Sequence, residues 1–533
     1  MPAITVVGSG ASGVHFAESA LAKGYDVTLV DVGYDRPAQP MPQETFVGLK
    51  DRLEDPAAYF LGEHFDGVLL PDSDAEYYGI PPGKDYIFRQ PARFGVAARG
   101  FAPLFSFARG GLAETWTGGC YPLNDDDLSA FPWRYAALEP HYAEVARRIG
   151  VTGADDDLAR FMPVHANLMT PLELDTHSSV LMETYARHRS RINGMGCWMG
   201  RTRVATLSRA MDEREACGYL GRCLHGCPLD ALYTPSHTLR QLLRHPRFRY
   251  EGGLVAESFR VDGRRRIVAL VVRPAAGGDT RELPVDQLAL AAGTLSSTGI
   301  VLRAAYEETK QVPRLPGLMD NRQVLVPFAN LRRIGASWDP ARYQYHLLGL
   351  GLSADAPADY VHGQITTLKT ALMHPIIQRL PFDLRLSARL ARATHAALGV
   401  LNVNFSDSRR DSNYLTLDVS GERPQLALHY EASAGEGGRM ARALGRLHAV
   451  LRALGCIVPP GMTHVRPMGA SVHYAGTLPM SNEKRPWTSS PDGRSHDYEN
   501  LLLVDGTTFP FLPSKNLTFT LMANAVRIAT NTL

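Results

Sequence analysis

The sequence predicts an α/β fold in which a Rossmann-like dinucleotide-binding domain joins an α+β substrate domain built on an antiparallel sheet. Three observations carry this. A strand, a glycine turn, a helix and a second strand ending in an acid fill the first 31 residues. Near the other end, an apolar strand runs into Asp505-Gly506 and a loop leads to another helix. Between about 315 and 470 the pattern changes to alternating strands and one long helix. At 533 residues the chain exceeds what one core supports, so two closely joined domains are expected.

The first unit can be justified part by part. Ile4, Thr5, Val6 and Val7 make a short β-branched run suited to a buried parallel strand. Gly8-Ser9-Gly10-Ala11-Ser12-Gly13 follows at once, and residues 14–23 read as a helix with small residues toward the strand. Gly8 permits the tight turn, Gly10 lets a pyrophosphate approach the backbone, and Gly13 lets helix and strand pack closely. The free N–H groups at the helix start, Ser12 among them, favour phosphate charge. Asp31 ends the second strand 23 residues after Gly8, within reach of a ribose diol. This unit signals a dinucleotide without separating NAD from FAD.

At the far end, Leu501-Leu502-Leu503-Val504-Asp505-Gly506 is an apolar strand ending in an acid and a glycine. The helix beginning near Asn516 offers a second amino terminus to an anionic cofactor. Upstream lies His473-Tyr474-Ala475-Gly476-Thr477, and Ala291-Ala292-Gly293-Thr294 ends another strand.

Taken in order, these segments resemble the glucose–methanol–choline (GMC) oxidoreductase family, and the resemblance spans nearly the whole chain. It implies a glutathione-reductase-type FAD-binding domain, hence FAD rather than NAD. The segment Gly110-Gly111-Leu112-Ala113-Glu114-Thr115-Trp116 looks closest to the pyranose oxidase and sugar dehydrogenase branch, as do Phe131-Pro132-Trp133 and Cys217 to Pro228. Pyranose oxidases carry a flavin-linking histidine just before that tryptophan. Thr115 stands there in this chain, and its hydroxyl has no such chemistry, so FAD is expected to bind non-covalently.

The resemblance assigns His473 as catalytic base and Asn516 as its partner on the substrate oxygen. Histidine suits that step because its ordinary pKa lies near working pH. His464, nine residues earlier, is the nearest rival but lacks the Gly476-Thr477 context. Cofactor contacts are expected at Gly8, Gly10, Ser12, Gly13, Asp31, Gly110, Gly111, Val255, Gly293, Asp505, Gly506 and Thr518. Trp116 either flanks substrate or fills core.

The implied activity is oxidation of a CH–OH group, on a sugar, glycoside or other hydroxylated metabolite, by hydride transfer to flavin. Oxygen, a quinone or a redox protein would take the electrons. Two alternatives remain at this point: lyase, isomerase or dehydration chemistry on the same fold, and a non-catalytic flavin-holding subunit.

The expected organisation is an FAD domain over 1–314, with 34–90 as an insertion or lid, a substrate domain over 315–470, and a return to the FAD domain over 471–533. Residues 414–417 and 425–430 read as antiparallel strands of a sheet covering the flavin, and 439–454 as a helix. Six cysteines make no disulfide framework, and the spacing of Cys217, Cys223 and Cys227 does not fit a zinc site, so no metal is expected. A net charge of +2 gives no reason to expect nucleic acid. No run of 18 apolar residues or basic leader is present, and a cytoplasmic location is expected. The arginine- and leucine-rich stretch 379–392 is expected to be a solvated helix face over core, without membrane contact.

Overall fold

The computed structural model describes residues 2–36, 41–65, 76, 80–356, 359–370, 373–378 and 380–533, with the backbone alone at 375. The amino-terminal β-branched strand Ala3–Val7 becomes the centre of a five-stranded parallel sheet. Its order is Leu501–Leu503, Leu288–Leu290, Ala3–Val7, Asp26–Val30 and Phe248–Glu251. Strands buried on both faces need continuous apolar sequence, and these have it. Helix Ala11–Ala22 packs on this sheet beside the carboxyl-terminal helix Thr518–Thr532, where Val14, Phe16 and Ala20 meet Ala525 and Ile528.

A second sheet of seven strands is antiparallel throughout. Its main path runs Cys456–Ile457, Arg322–Asn330, Leu398–Phe405, Val361–Thr367, Leu348–Leu352 and Cys197–Arg201, with His464–Val465 paired to Arg322–Asn330. One face packs Val324, Val326, Ile365, Leu401 and Val403 beneath helices Thr176–Gly194 and Glu436–Ala453. Alternation then puts His362, Gln364, Asn404 and Gln323 on the other face. Cys197–Arg201 comes from the stretch expected to serve the cofactor domain, so this sheet recruits a strand from outside 315–470.

The strands Tyr414–Asp418 and Gln425–His429 do pair antiparallel. They do not belong to the sheet just described, however, and this corrects the expectation that they form part of one substrate-domain sheet. They form a four-stranded sheet with Leu315–Pro316 and with Val96–Arg99, the last pairing parallel to Gln425–His429. Leu415, Leu417, Leu426 and Leu428 share one core with Leu295, Ile300 and Val301 of helix Thr294–Thr309. Alternating leucines fixed the strand type, but only the core partner decides which sheet takes the pair.

Part of the expected lid, residues 37–40, 66–75 and 77–79, lies outside the described residues. The described remainder of 34–90 includes the short helices Leu49–Arg52 and Pro56–Leu61. Phe46 and Phe60 cluster there with Leu49 and meet the His225 ring, centroids 4.8 and 5.9 Å away. Arg222 donates to the Pro42 carbonyl at 2.7 Å, tying the insertion to the cysteine-rich turn. Cys217, Cys223 and Cys227 pack against a core of Leu172, Leu232, Tyr343 and Tyr345. Burial pushes the Cys217 thiol up to about 11 and raises Cys223 as well. Among the described residues no group of three His, Cys, Asp or Glu is placed to hold a metal ion.

Candidate active site

A cleft of about 1250 Å3 of empty space, open to solvent, runs between the ends of the parallel strands. Its walls include Gly8, Gly10, Ser12, Asp31, Gly110, Gly111, Val255, Gly293, Asp505, Gly506, Thr518 and His473. Gly13 stands behind the wall: a Cβ there would lie 1.9 Å from the Gly8 carbonyl oxygen, so the helix can approach the turn only as glycine. Gly8 itself has φ +100°, the left-handed region that favours glycine. At Gly10 a Cβ would meet nothing closer than the Gly110 carbonyl at 3.9 Å. The space in front of Gly10 is therefore a cradle that a side chain would fill and a pyrophosphate fits.

Three helix amino termini open on this cleft, those of Ala11–Ala22, Thr294–Thr309 and Thr518–Thr532. Their unpaired N–H groups and positive dipole ends favour an anionic ligand. The helix Thr294–Thr309 was not recognised as a third contributor from sequence.

Asp31 is held in place by Ser9, whose hydroxyl donates to Oδ2, and more distantly by Tyr250 at 3.4 Å. Ser9 in turn accepts from the Gly110 N–H at 2.9 Å, joining the first turn to the glycine loop. Burial pushes the Asp31 carboxyl up to about 6, although hydrogen bonds from Ser9 and Val32 pull it down. A ribose diol donating to its free oxygen would favour the ionised form. Asp505 is different. Ser297 donates to its Oδ2 at 2.5 Å, and Thr507 donates to Oδ1 through N–H at 3.1 Å and hydroxyl at 2.8 Å. Both carboxylate oxygens already have partners, so the residue shapes the backbone of the cleft and has little left to offer a ligand.

His473 sits at the end of a turn wound around one carboxylate. Asp320 accepts hydrogen bonds from Gly469 N at 2.7 Å, His473 N at 3.2 Å and the Ser471 hydroxyl. Between them Val472 adopts φ +64°. A β-branched residue in that region costs on the order of 1–3 kcal/mol, which the three bonds to Asp320 offset. Asn321 fixes the imidazole itself. Its Nδ2 donates to the Phe405 and Pro513 carbonyls at 2.8 and 2.9 Å, so Oδ1 must face His473 Nδ1, 3.0 Å away. His473 therefore carries its proton on Nδ1 and keeps the Nε2 lone pair as acceptor. Burial, reinforced by the Arg466 charge, lowers its pKa from 6.5 to about 4. The ring is held in its neutral form at neutral pH, with the Nε2 lone pair free to accept.

Asn516 is oriented with equal economy. Its Oδ1 accepts from Gln364 Nε2 at 2.8 Å and from Asn404 Nδ2 at 3.3 Å, which leaves its own NH2 as a donor. Asn404 Oδ1 accepts from Gln323 Nε2 at 3.0 Å, and Gln364 Nε2 also reaches the buried Tyr121 hydroxyl at 3.2 Å. Next to Asn516, the buried Lys515 ammonium pairs with Asp127 and donates to the Pro122 and Phe161 carbonyls at 3.2 and 2.5 Å. This pins the loop before the helix. Gln364, Asn404, Gln323, Asn321 and Asp320 were all missed from sequence. The alternation His362-Gly363-Gln364-Ile365 and Asn402-Val403-Asn404-Phe405 was visible, but a polar alternate face ordinarily means solvent. Here it is buried: His362 and Asn404 are 0% exposed and Gln364 3%.

His464 is placed elsewhere. It lies on an edge strand, largely exposed, with Nε2 2.9 Å from Glu76. Trp116 donates from Nε1 to the Tyr233 carbonyl at 2.7 Å and packs with the core around Phe131 and Tyr142. That arrangement fits the core-filling alternative.

A family model described as GMC oxidoreductase matches residues 410–525. The C-glycoside 3-oxidase of Microbacterium trichothecenolyticum is 26% identical over 442 residues, 79% of this chain and 74% of that protein. The 6'''-hydroxyparomomycin C oxidase of Streptomyces lividus is 23% identical over 543 residues, 98% of this chain and 90% of that protein. Among solved structures, pyridoxine 4-oxidase from Mesorbium loti superposes with a TM-score of 0.59 at 15% identity, covering 100% of this chain and 99% of that one. Formate oxidase gives a TM-score of 0.59 at 12% identity, with 99% and 98% covered. Residues 410–525 thus match the GMC oxidoreductase model, and the curated relatives that align over most of the chain are oxidases.

Proposed function

We propose that the chain is an FAD-dependent oxidoreductase that oxidises a CH–OH group of a sugar or glycoside to a carbonyl. The observation that carries this is His473, neutral, locked as the Nδ1–H tautomer by Asn321, and set at the end of a dinucleotide cleft. Gly10, Gly110, Gly293 and the three helix termini would hold the diphosphate and flavin, with Asp31 and Val255 toward the adenosine part. Residues 1–314 and 471–533 supply the cofactor side, and 315–470 most of the substrate side. Thr115 offers no nucleophile for a covalent link, so the flavin is held non-covalently.

When bound, FAD supplies the acceptor for the carbinol hydride. The protein supplies the remainder. His473 Nε2 takes the hydroxyl proton, and the Asn516 NH2 donates to the oxygen as negative charge grows on it. Loss of one proton and one hydride converts the alcohol to a ketone or aldehyde.

The curated relatives are named as oxidases, which favours oxygen as the acceptor. Their named substrates include a C-glycoside and aminoglycosides. Around Asn516 this chain gathers amides, and the buried Asp320 carboxylate is already hydrogen-bonded. Amides of this kind beside the catalytic pair suit neutral hydroxyls better than a polycationic ring, so a neutral glycoside is the substrate class we favour. Anaerobic mixing with neutral glycosides should bleach the flavin, and air should then return the colour with peroxide. Intact flavin that no alcohol bleaches would overturn the reading.

A further inference from the structure

We propose that helix Leu384–Thr394 is a docking surface for a lipid bilayer bearing anionic headgroups. Most amphipathic helices bury their large apolar residues, and this one does the reverse. The side chains it turns inward are Ser387 and Ala391, both buried. Leu386 and Leu390, one turn apart, are 40% and 37% exposed, and Phe382 and Leu384 at its start are 51% and 74% exposed. The Gly335 N–H donates to the Ala393 carbonyl at 2.8 Å and brings up the turn carrying exposed Leu331 and Ile334. Of sixteen large apolar residues exposed among the described residues, four fall between 382 and 390 and two more on the turn bonded to the end of the helix. A concentration of exposed large apolar side chains of this kind ordinarily marks a contact surface.

Charge selects the occupant. Arg385, Arg389 and Arg392 project from the helix beside the leucines, at the i, i+4 and i+3 spacing that forms one stripe. All three are exposed, and none of their guanidinium groups has a hydrogen-bond or ion-pair partner among the described residues. Asp383 is the one acid between 360 and 406, and its carboxylate is engaged capping the Arg385 and Leu386 N–H groups at 2.9 and 3.0 Å. An apolar stripe flanked by unpaired arginines matches the boundary between acyl chains and anionic headgroups. A second copy of the chain fits less well, because two-fold pairing would set arginine stripe against arginine stripe. No helix among the described residues is long and apolar enough to cross a membrane, so the contact is peripheral.

The test uses the purified full chain with two sets of vesicles, phosphatidylcholine alone and phosphatidylcholine with phosphatidylglycerol. Co-sedimentation with the anionic vesicles is expected, weakened by added salt as screening shortens the reach of the charges. At roughly fivefold per arginine, R385Q/R389Q/R392Q should weaken binding on the order of a hundredfold. L386S/L390S should also release the protein, while turnover of a soluble alcohol stays at the wild-type rate in both variants. Failure of the wild-type chain to sediment with anionic vesicles would overturn the proposal. So would binding that both variants retain. A wild-type dimer in sedimentation velocity that both variants dissolve would assign the face to a second copy instead.

Discussion

The cofactor cradle and the amide-bearing face of the antiparallel sheet are written into the sequence in different ways. The cradle depends on backbone approaching backbone. Gly8 at φ +100° and Gly13, whose Cβ would fall 1.9 Å from Gly8 O, admit one residue type each. The sheet depends on amide side chains bonding one another across strands, Gln364 to Asn516 and Gln323 to Asn404. Any solvated strand carries such residues, so their spacing alone says nothing of burial. A steric constraint leaves a signature at fixed positions in the chain, whereas a hydrogen-bonded network becomes visible only once its strands are side by side.

The hardest test of the cradle is Gly10→Val. Because the space in front of Gly10 is empty to 3.9 Å, the fold should tolerate the new side chain while the diphosphate loses its place. The expected outcome is a folded, colourless protein with unchanged circular dichroism and no turnover. A yellow, active variant would break the assignment of the cradle.

On the other side of the cleft, His473→Ala should retain flavin and lose roughly 10²–10⁴ in kcat, the usual worth of a positioned base. The pH profile sharpens this. A histidine at its ordinary pKa of 6.5 would begin to lose activity near neutrality as it protonates. Burial and Arg466 hold His473 near 4, so the base stays unprotonated well below neutrality. We expect kcat/KM to remain level as pH falls through 6 and to decline only toward 4. An acid limb centred near 6.5 would overturn the depressed pKa, and its loss in His473→Ala would decide whether His473 is the group titrating.

How much was legible follows the same divide. The parallel strands and the turn at Gly8–Gly13 followed from local pattern, whereas His473, which lines the cleft, was singled out only through the family resemblance. The pairing of Tyr414–Asp418 with Gln425–His429 followed as well, but its sheet did not, since Leu415 and Leu426 would suit any apolar partner. Helix Leu384–Thr394 misled for a related reason. Leucines at helical spacing ordinarily mean a core face, and here Ser387 and Ala391 took the inward side.

A smaller effect is expected from the network. Gln364→Leu removes the donor that turns the Asn516 amide, leaving Asn404 at 3.3 Å as its remaining partner. Flavin content should hold, with kcat falling roughly tenfold to a hundredfold for a misplaced but intact catalytic group. Gln364→Glu should do at least as much harm when ionised, because it then presents an acceptor to Asn516 Oδ1. If activity recovered in Gln364→Glu at low pH, where the carboxyl can donate again, the orienting role would be established separately from any effect on folding.

The smallest effect is expected at a tryptophan. Trp116 follows the glycine loop of the cradle, yet its Nε1 donates to the Tyr233 carbonyl and its ring fills core. Trp116→Phe removes that bond and leaves a buried carbonyl without its donor. The cost should be about 1–3 kcal/mol of stability, read as a fall in Tm of a few degrees. Substrate KM should not move, because the ring faces Tyr233 and the core around Phe131. A rise in KM with unchanged Tm would reverse that reading and put the tryptophan against the substrate.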